Sequence, residues 1–284
     1  MNKFLKFAPY AFLACSALLV SCGDDDDDSP VSPVNPVTPA TPSADNVFTN
    51  GNIPASVDGA SIALNDKGQV TKIDDENRDI TFEYGTFSRS ESYDVKMTIQ
   101  YKGRDEKAVL FFQLNEMGFI SHALEDYIDS YGTDTQTYDF KYDAEGHMIY
   151  AYCSDDEETY NITYTDGVLD KVVETEDDGD TRVTTFHYTS AEVTTPYENK
   201  GNIMFFDQWN IDLDRVGKAY YAGLLGKPSK NLPLGYTAKG KEGDSEYSSE
   251  HIFYWEFTVD GLPTVYKDGQ EGYGYNETYT FSWK

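Results

Sequence analysis

The sequence predicts an all-β protein: an antiparallel hairpin meander forming a curved or partly closed sheet, with one short helix packed against it. Three observations carry that expectation. Asp-Gly and Asn/Asp-x-x-Gly turn signals recur along the chain. Between them, aromatic and β-branched residues alternate with polar ones, the period of a half-buried strand. Only around residues 211–225 does the apolar spacing change to three and four, the period of a helix.

The elements follow in chain order. Residues 1–21 are processing signal. Lys3 and Lys6 precede the apolar run Phe7–Val20. That run is short of the roughly 20 residues a spanning helix needs and fits the apolar region of a signal peptide. Leu19-Val20-Ser21-Cys22 resembles the lipobox of bacterial lipoproteins. The resemblance implies export, cleavage before Cys22, lipidation of its sulfur with palmitate-type chains, and membrane attachment; more than one acyl chain is needed for stable anchoring. The alternative is an ordinary secretory signal with an incidental cysteine. Asp24 to Asp28 then place five like charges together, which stay solvated. Directly behind a lipidated cysteine they resemble the surface-export signal of Bacteroidota lipoproteins. That implies a protein held by lipid on the outer membrane and facing the outside of the cell; a plain solvated spacer is the alternative. Pro30, Pro33, Pro36, Pro39 and Pro42 recur at every third residue and share one face of a polyproline II rod. The rod is a tether on the order of 40 Å long. Residues 22–46 thus form the lipidated, acidic and proline-rich lead-in, and residues 47–284 a single β-rich domain.

Composition limits the partners. The formal charge of −28 becomes more negative still once Lys3 and Lys6 leave with the leader. Such a charge argues against nucleic acid and against direct docking on anionic lipid. Neutral glycans, peptides, cations and proteins remain open. Of three cysteines, Cys15 leaves with the leader and Cys22 takes the lipid, so Cys153 has no disulfide partner. Within Tyr150-Ala151-Tyr152-Cys153 it reads as a buried strand residue.

In the folded region, Asp-Gly occurs at Asp58-Gly59, Asp166-Gly167, Asp178-Gly179, Asp260-Gly261 and Asp268-Gly269, the chemistry of type I′ hairpin turns. Longer turns place Asn or Asp three residues before Gly at Asn65-Gly68, Asn115-Gly118 and Asp143-Gly146. Four rows each share a strand face: Tyr138, Phe140, Tyr142; Tyr160, Ile162, Tyr164; Phe253, Trp255, Phe257, Val259; and Tyr279, Phe281, Trp283. Units such as Leu64-Asn-Asp-Lys-Gly-Gln-Val and Tyr142-Asp-Ala-Glu-Gly-His-Met repeat loosely, one hairpin each, at uneven spacing. From Ile211 to Leu225 an amphipathic helix sets Leu213, Val216, Tyr220 and Leu224 on one face; Gly226 and Pro228 stop it. Its expected role is to plug or cover the sheet.

Two segments carry a family resemblance. Tyr221-Ala-Gly-Leu-Leu-Gly-Lys-Pro-Ser-Lys-Asn-Leu-Pro233 and Phe253-Tyr-Trp-Glu-Phe-Thr-Val-Asp-Gly-Leu-Pro-Thr-Val265 resemble the C-terminal part of the Bacteroidota domain-of-unknown-function family 4595. The resemblance covers most of residues 48–284 and implies a porin-like β fold. It supplies no catalytic residues. Charges on alternating strand positions argue against a membrane-spanning barrel, which needs a continuous lipid-facing band.

No catalytic spacing stands out. His122, His147, His187 and His251 show no metal-ligand pattern, and neither a nucleophile elbow nor a phosphate loop is present. Asp155-Asp156-Glu157-Glu158 and Glu174-Thr-Glu-Asp-Asp-Gly-Asp180 read as solvated hairpin tips, with Ca²⁺ binding as the alternative. No metal or cofactor is implied. The 23 Tyr, 16 Phe and 3 Trp are the remaining clue, since exposed Tyr and Trp rings stack on sugars and favour protein contacts, though the same rings also build a core. Tyr273, Tyr275 and Tyr279, separated by small or polar residues, and Trp209 are the candidate ligand-binding residues. The expected function is a non-catalytic binding module capturing glycan or surface protein. A structural or assembly role in the envelope comes second, a glycosidase-like enzyme third. An open groove lined by these rings favours capture; a filled interior favours the structural role.

Overall fold

The structure is a computed structural model and describes residue 48 and residues 52–242, 245–270 and 274–283. The leader, Cys22, the aspartate run, the proline tether and Tyr273 lie outside the described residues. The strands are β1 Pro54–Val57, β2 Ala60–Leu64, β3 Val70–Asp74, β4 Arg78–Ser88, β5 Ser92–Tyr101 and β6 Lys107–Leu114. Then come β7 Ile120–Ile128, β8 Thr133–Tyr142, β9 Met148–Cys153, β10 Thr159–Thr165, β11 Val168–Thr175 and β12 Thr181–His187. After a long inserted segment carrying the short strands β13 Tyr197–Glu198 and β14 Asn231–Leu232, the meander resumes with β15 Gly235–Glu242, β16 Ser245–Phe257, β17 Pro263–Gln270 and β18 Gly274–Trp283.

Turn chemistry builds this order. Asp58-Gly59 and Asp166-Gly167 have positive φ at both residues and form the expected two-residue type I′ turns. Asn65, Asn115 and Asp143 each accept two backbone N–H bonds on their own Oδ1, at 2.9–3.1 Å, closing the turns that end in Gly68, Gly118 and Gly146. At Asp178-Gly179 and Asp260-Gly261 only the glycine has positive φ, and its N–H bonds back three residues, to Glu176 and Thr258. Asp268-Gly269 is not a turn at all. It lies within β17, where the register against β18 shifts.

The sheet is a closed barrel of sixteen strands, not a curved or partly closed one. Consecutive strands pair antiparallel all the way round, and β1 closes on β18 through Ser56–Ser282 and Val57–Phe281. Closure removes the unpaired edges an open sheet would present. β12 and β15 pair directly across the insertion, from Arg182–Gly240 to His187–Gly235.

Alternation sorts the side chains. On β5, Tyr93, Val95, Met97 and Ile99 are buried while Asp94, Lys96, Thr98 and Gln100 face out. The outer wall is laced with ion pairs such as Lys72–Asp79 at 2.6 Å and Lys102–Asp74 at 2.5 Å. The expected rows point inward, except that β16 ends at Phe257 and Val259 sits fully exposed in the following turn. Cys153 is buried at the end of β9.

Sixteen strands ordinarily enclose an aqueous channel. Here the segment between β12 and β15 fills the interior. Ile203, Met204, Phe205, Phe206, Trp209 and Val216 are all buried in the core cluster that the inward strand faces complete. The expected 211–225 helix is a shorter 3₁₀ helix, Asp214–Ala222, ended by Gly223 at φ 75° rather than by Gly226. Gly226 instead allows a close approach to the wall. A Cβ there would stand 2.8 Å from the Gly146 carbonyl and from the Tyr142 ring. The outgoing segment is strapped to the wall by Ile120 N–H to Leu224 O, Lys227 N–H to Gly146 O and Lys230 N–H to Gly167 O, each at 2.8 Å.

Candidate functional site

The barrel has two unlike rims. At one, β1 begins beside the end of β18, Pro54 opposite Trp283, and the plug enters and leaves. The opposite rim carries the turns at 58–59, 75–77, 102–106, 129–132, 154–158 and 176–180. Those turns hold most of the acidic tips, and Asp155, Asp156, Glu157 and residues 176–179 are exposed as expected. Glu174 departs from that pattern. It points into the wall at 4% exposure and pairs with Arg182.

At the acidic rim the plug does not reach the wall everywhere. A cavity of about 410 Å³ remains between plug residues 204–221 and strands β1 to β4. Its apolar side is Ile62, Ile73, Ile80, Phe206 and Tyr221. Tyr279 of β18 joins it, packed on Phe205 and Tyr266 at ring distances of 5.0 and 5.7 Å. The Tyr279 hydroxyl accepts from Gln208 Nε2 at 2.8 Å and donates to Glu277 at 2.5 Å, which fixes the ring. Gln208 divides this cavity from a shallower depression of about 310 Å³ lined by Asn210, Tyr236, His251, Asp268 and Glu277.

The charged groups lining the main cavity are Asp58 and Glu76, both exposed at the rim, with Asp75, Arg78, Asp207 and Lys218. Asp75 is fully occupied: it accepts the N–H groups of Asn77 and Arg78 at 2.8 and 2.6 Å, and the Arg78 guanidinium at 2.8 Å. Lys218 and Asp207 are different. Lys218 makes no ion pair within 4.0 Å and no hydrogen bond among the described residues. Burial holds its ammonium below the ordinary lysine range, with the Asp207 carboxylate pulling the other way. Asp207 stands exposed at the mouth; partial desolvation raises its carboxyl above its ordinary range, against the pull of Lys218.

Of the sequence candidates, Tyr279 stands on the cavity wall. Tyr275 lies on β18 opposite Gly269, near the same rim. Trp209 does not belong in the site. It is fully buried, edge-on to Phe186 and Phe205 at 6.1 and 6.3 Å, and offers no face to a ligand. Sequence reasoning missed Asp207, Gln208 and Lys218. The available signal was polarity out of place: Asp207 and Gln208 interrupt a run from Ile203 to Trp209, and Lys218 sits between Val216 and Tyr220.

The histidines are tied to neighbours. His122 faces Asp139 at 2.8 Å, His187 faces Thr237 at 2.7 Å and His251 faces Asp268 at 3.3 Å. Asp143, Glu145 and His147 bring possible metal-ligand atoms within 4.8 Å of one another. However, Asp143 closes its own turn and meets His147 Nδ1 at 3.0 Å, and the His147 ring stacks on Tyr164. These donors are occupied by the hairpin itself.

Residues 60–261 match the family model described as a domain of unknown function (DUF4595) with porin-like fold. The chain belongs to this family. Two solved structures resemble this DUF4595 chain. A porin-like protein from Bacteroides uniformis ATCC 8492 is 16% identical, covers 79% of this chain and 89% of its own, and superposes with a TM-score of 0.52. A porin-like protein from Bacteroides vulgatus ATCC 8482 is 14% identical, covers 81% and 98%, and gives the same score. At such identities the likeness is one of fold. No curated protein matches the chain. For this DUF4595 member, porin-like describes the strand architecture. Its wall has the opposite polarity to a membrane porin, apolar inside and charged outside.

Proposed function

We propose that this DUF4595 protein is a lipid-anchored outer-membrane protein facing the outside of the cell, and that its barrel is a non-catalytic module that captures glycan or protein. The observation that carries the proposal is the placement of the cavity. It lies at the acidic rim, with the rings of Phe206, Tyr221 and Tyr279 beside Asp207, Gln208 and Lys218. A pocket of this size, with an apolar wall and a few converging polar groups, has the form of a small-ligand site. The filled interior supports the second reading, a structural role in the envelope.

A polysaccharide and protein array probed with the mature chain tests the proposal. Capture is expected at micromolar-to-millimolar strength, with little salt dependence for a neutral glycan, because salt screens charge contacts and not ring stacking. Tyr279→Ala should weaken capture by about 0.5–1.5 kcal/mol if its ring packs on the ligand as aromatic pairs do. Release of reducing ends over time would overturn the non-catalytic assignment. A blank array would transfer the weight to the structural role.

A further inference from the structure

We propose that the acidic-rim cavity takes the end of a neutral saccharide, with Lys218 and Asp207 as its hydrogen-bonding pair and Tyr279 on its wall. The inference rests on the capture function proposed above and names its ligand. Three features of the cavity lead to it.

The first is which charged groups remain free to meet a ligand. Asp75 and Arg78 neutralise each other and use their facing atoms on one another. Lys218 then stands as a group that only donates, and Asp207 as one that only accepts when ionised. A sugar hydroxyl does both, so neighbouring hydroxyls on one ring satisfy the pair together. An anionic ligand answers Lys218 but is repelled by Asp207 and by Asp58 and Glu76, which line the same cavity. A cationic one answers Asp207 but meets Lys218, which has no carboxylate within 4.0 Å among the described residues to offset it. Neutral hydroxyls carry neither penalty. The formal charge of −28 adds a general bias against anions.

The second feature is the apolar surface. Phe206, Tyr221 and Tyr279 supply ring surface beside these two polar groups, the combination that a sugar presents in complement, with C–H faces next to hydroxyls. The third is depth. Met204 and Tyr220 close the cavity toward the barrel interior, which the plug fills, so a ligand enters from the rim and cannot pass through. A chain end fits this geometry and an internal segment of a polymer does not.

The test is titration calorimetry of the mature protein with neutral oligosaccharides of gluco, galacto, manno and N-acetylated type, alongside matched uronates and amino sugars. Lys218→Met keeps the aliphatic stem and Asp207→Asn keeps the shape; thermal unfolding of each variant confirms that it folds. At least one neutral series should bind, more tightly than its charged counterparts. Each variant should weaken that binding by about tenfold or more, the loss expected for a hydrogen bond to a charged group. Reducing or blocking the sugar end that enters should abolish binding, while extending the opposite end should not. Binding that falls in Tyr279→Ala but survives both Lys218→Met and Asp207→Asn would overturn the pair while leaving capture at this rim in place. Uronates or amino sugars binding more tightly than neutral sugars would overturn the ligand class and likewise leave capture standing. Failure of every saccharide to bind would overturn the inference, and capture would then rest on protein ligands alone.

Discussion

Glu174 shows how far burial moves a single carboxylate in this barrel. It is 4% exposed on β11, with Arg182 of β12 across from it. Burial is the largest influence and pushes its pKa from 4.5 up to about 7, while Arg182 pulls it down. Because the folded value lies above the unfolded one, folding favours the protonated form. The stabilisation from this group is therefore complete below pH 4.5 and is lost as pH rises to about 7. Glu174→Gln stays neutral at every pH. Urea midpoints of parent and variant should diverge across that window, the parent losing stability relative to the variant as pH rises. Parallel curves would show that Glu174 does not titrate there. Gly261 makes a backbone case of the same kind. Its φ of 82° closes the turn after β16, and a Cβ would stand 3.3 Å from Lys200 Nζ. Lys200 is flexible and can give way, but the backbone angle cannot. Gly261→Val should cost about 1–3 kcal/mol through turn strain, measurable by chemical denaturation. A variant as stable as the parent would contradict the strained turn.

The plug is the element that turns a sixteen-strand barrel into a packed protein, and one polar latch ties its helix to the wall. Arg215, on the 3₁₀ helix, pairs with Glu125 of β7, whose side chain is completely buried. Tyr138 donates to the same carboxylate at 3.1 Å. Removing the cation alone would leave a buried carboxylate without its counter-charge. Arg215→Met should therefore cost about 3–5 kcal/mol, and adding Glu125→Gln should recover part of it. A double variant no more stable than the single one would show that packing of the arginine stem, not charge, is what matters. The hairpins of this barrel were legible in sequence because their signals are local: Asn65, Asn115 and Asp143 each cap their own turn within four residues. The amphipathic run in the plug was legible for the same reason, although Gly223 ends the helix earlier than Gly226 would. Closure was not. Ser56 and Ser282 meet across a separation of 226 residues, their hydroxyls 2.7 Å apart, and nothing near either one announces the other. Trp209 misled because Asp207, Gln208 and Asn210 surround it in sequence, whereas its ring lies within the core. The cavity was illegible for a similar reason. It gathers Arg78, Asp207, Lys218 and Tyr279 from three separate parts of the chain.

For the whole molecule, the polarity of the wall bears on the lipid attachment proposed above. Lys96 and Lys141 are among the charges on the outer face of the strands. Each would cost about 2–4 kcal/mol at the centre of a bilayer, so the barrel is not built to enter lipid. Under the function proposed above, attachment comes from lipid on Cys22 instead. Cys22→Ala should abolish palmitate labelling and leave a protein that does not float with liposomes and opens no conductance in planar bilayers. Flotation of that variant would remove the lipid-anchor assignment. The aspartate run separates anchoring from address. Replacing Asp24–Asp28 with Ala leaves Cys22 and the apolar leader intact, so palmitate labelling should persist. If the five charges direct the lipoprotein to the outer face, protease added to whole cells should cleave the parent but spare the variant. Biotinylation of a cysteine placed at the exposed tip Asp178 extends the comparison to the acidic rim. It should label on cells carrying the parent sequence and not on cells carrying the alanine run, while lysis restores labelling in both. The native Cys153 is buried and does not compete for the reagent. Equal surface cleavage of both proteins would sink the export role of the aspartates and leave the anchor untouched. Cleavage of the tether without labelling at position 178 would place the mouth of the barrel toward the membrane, opposite to what capture from outside requires.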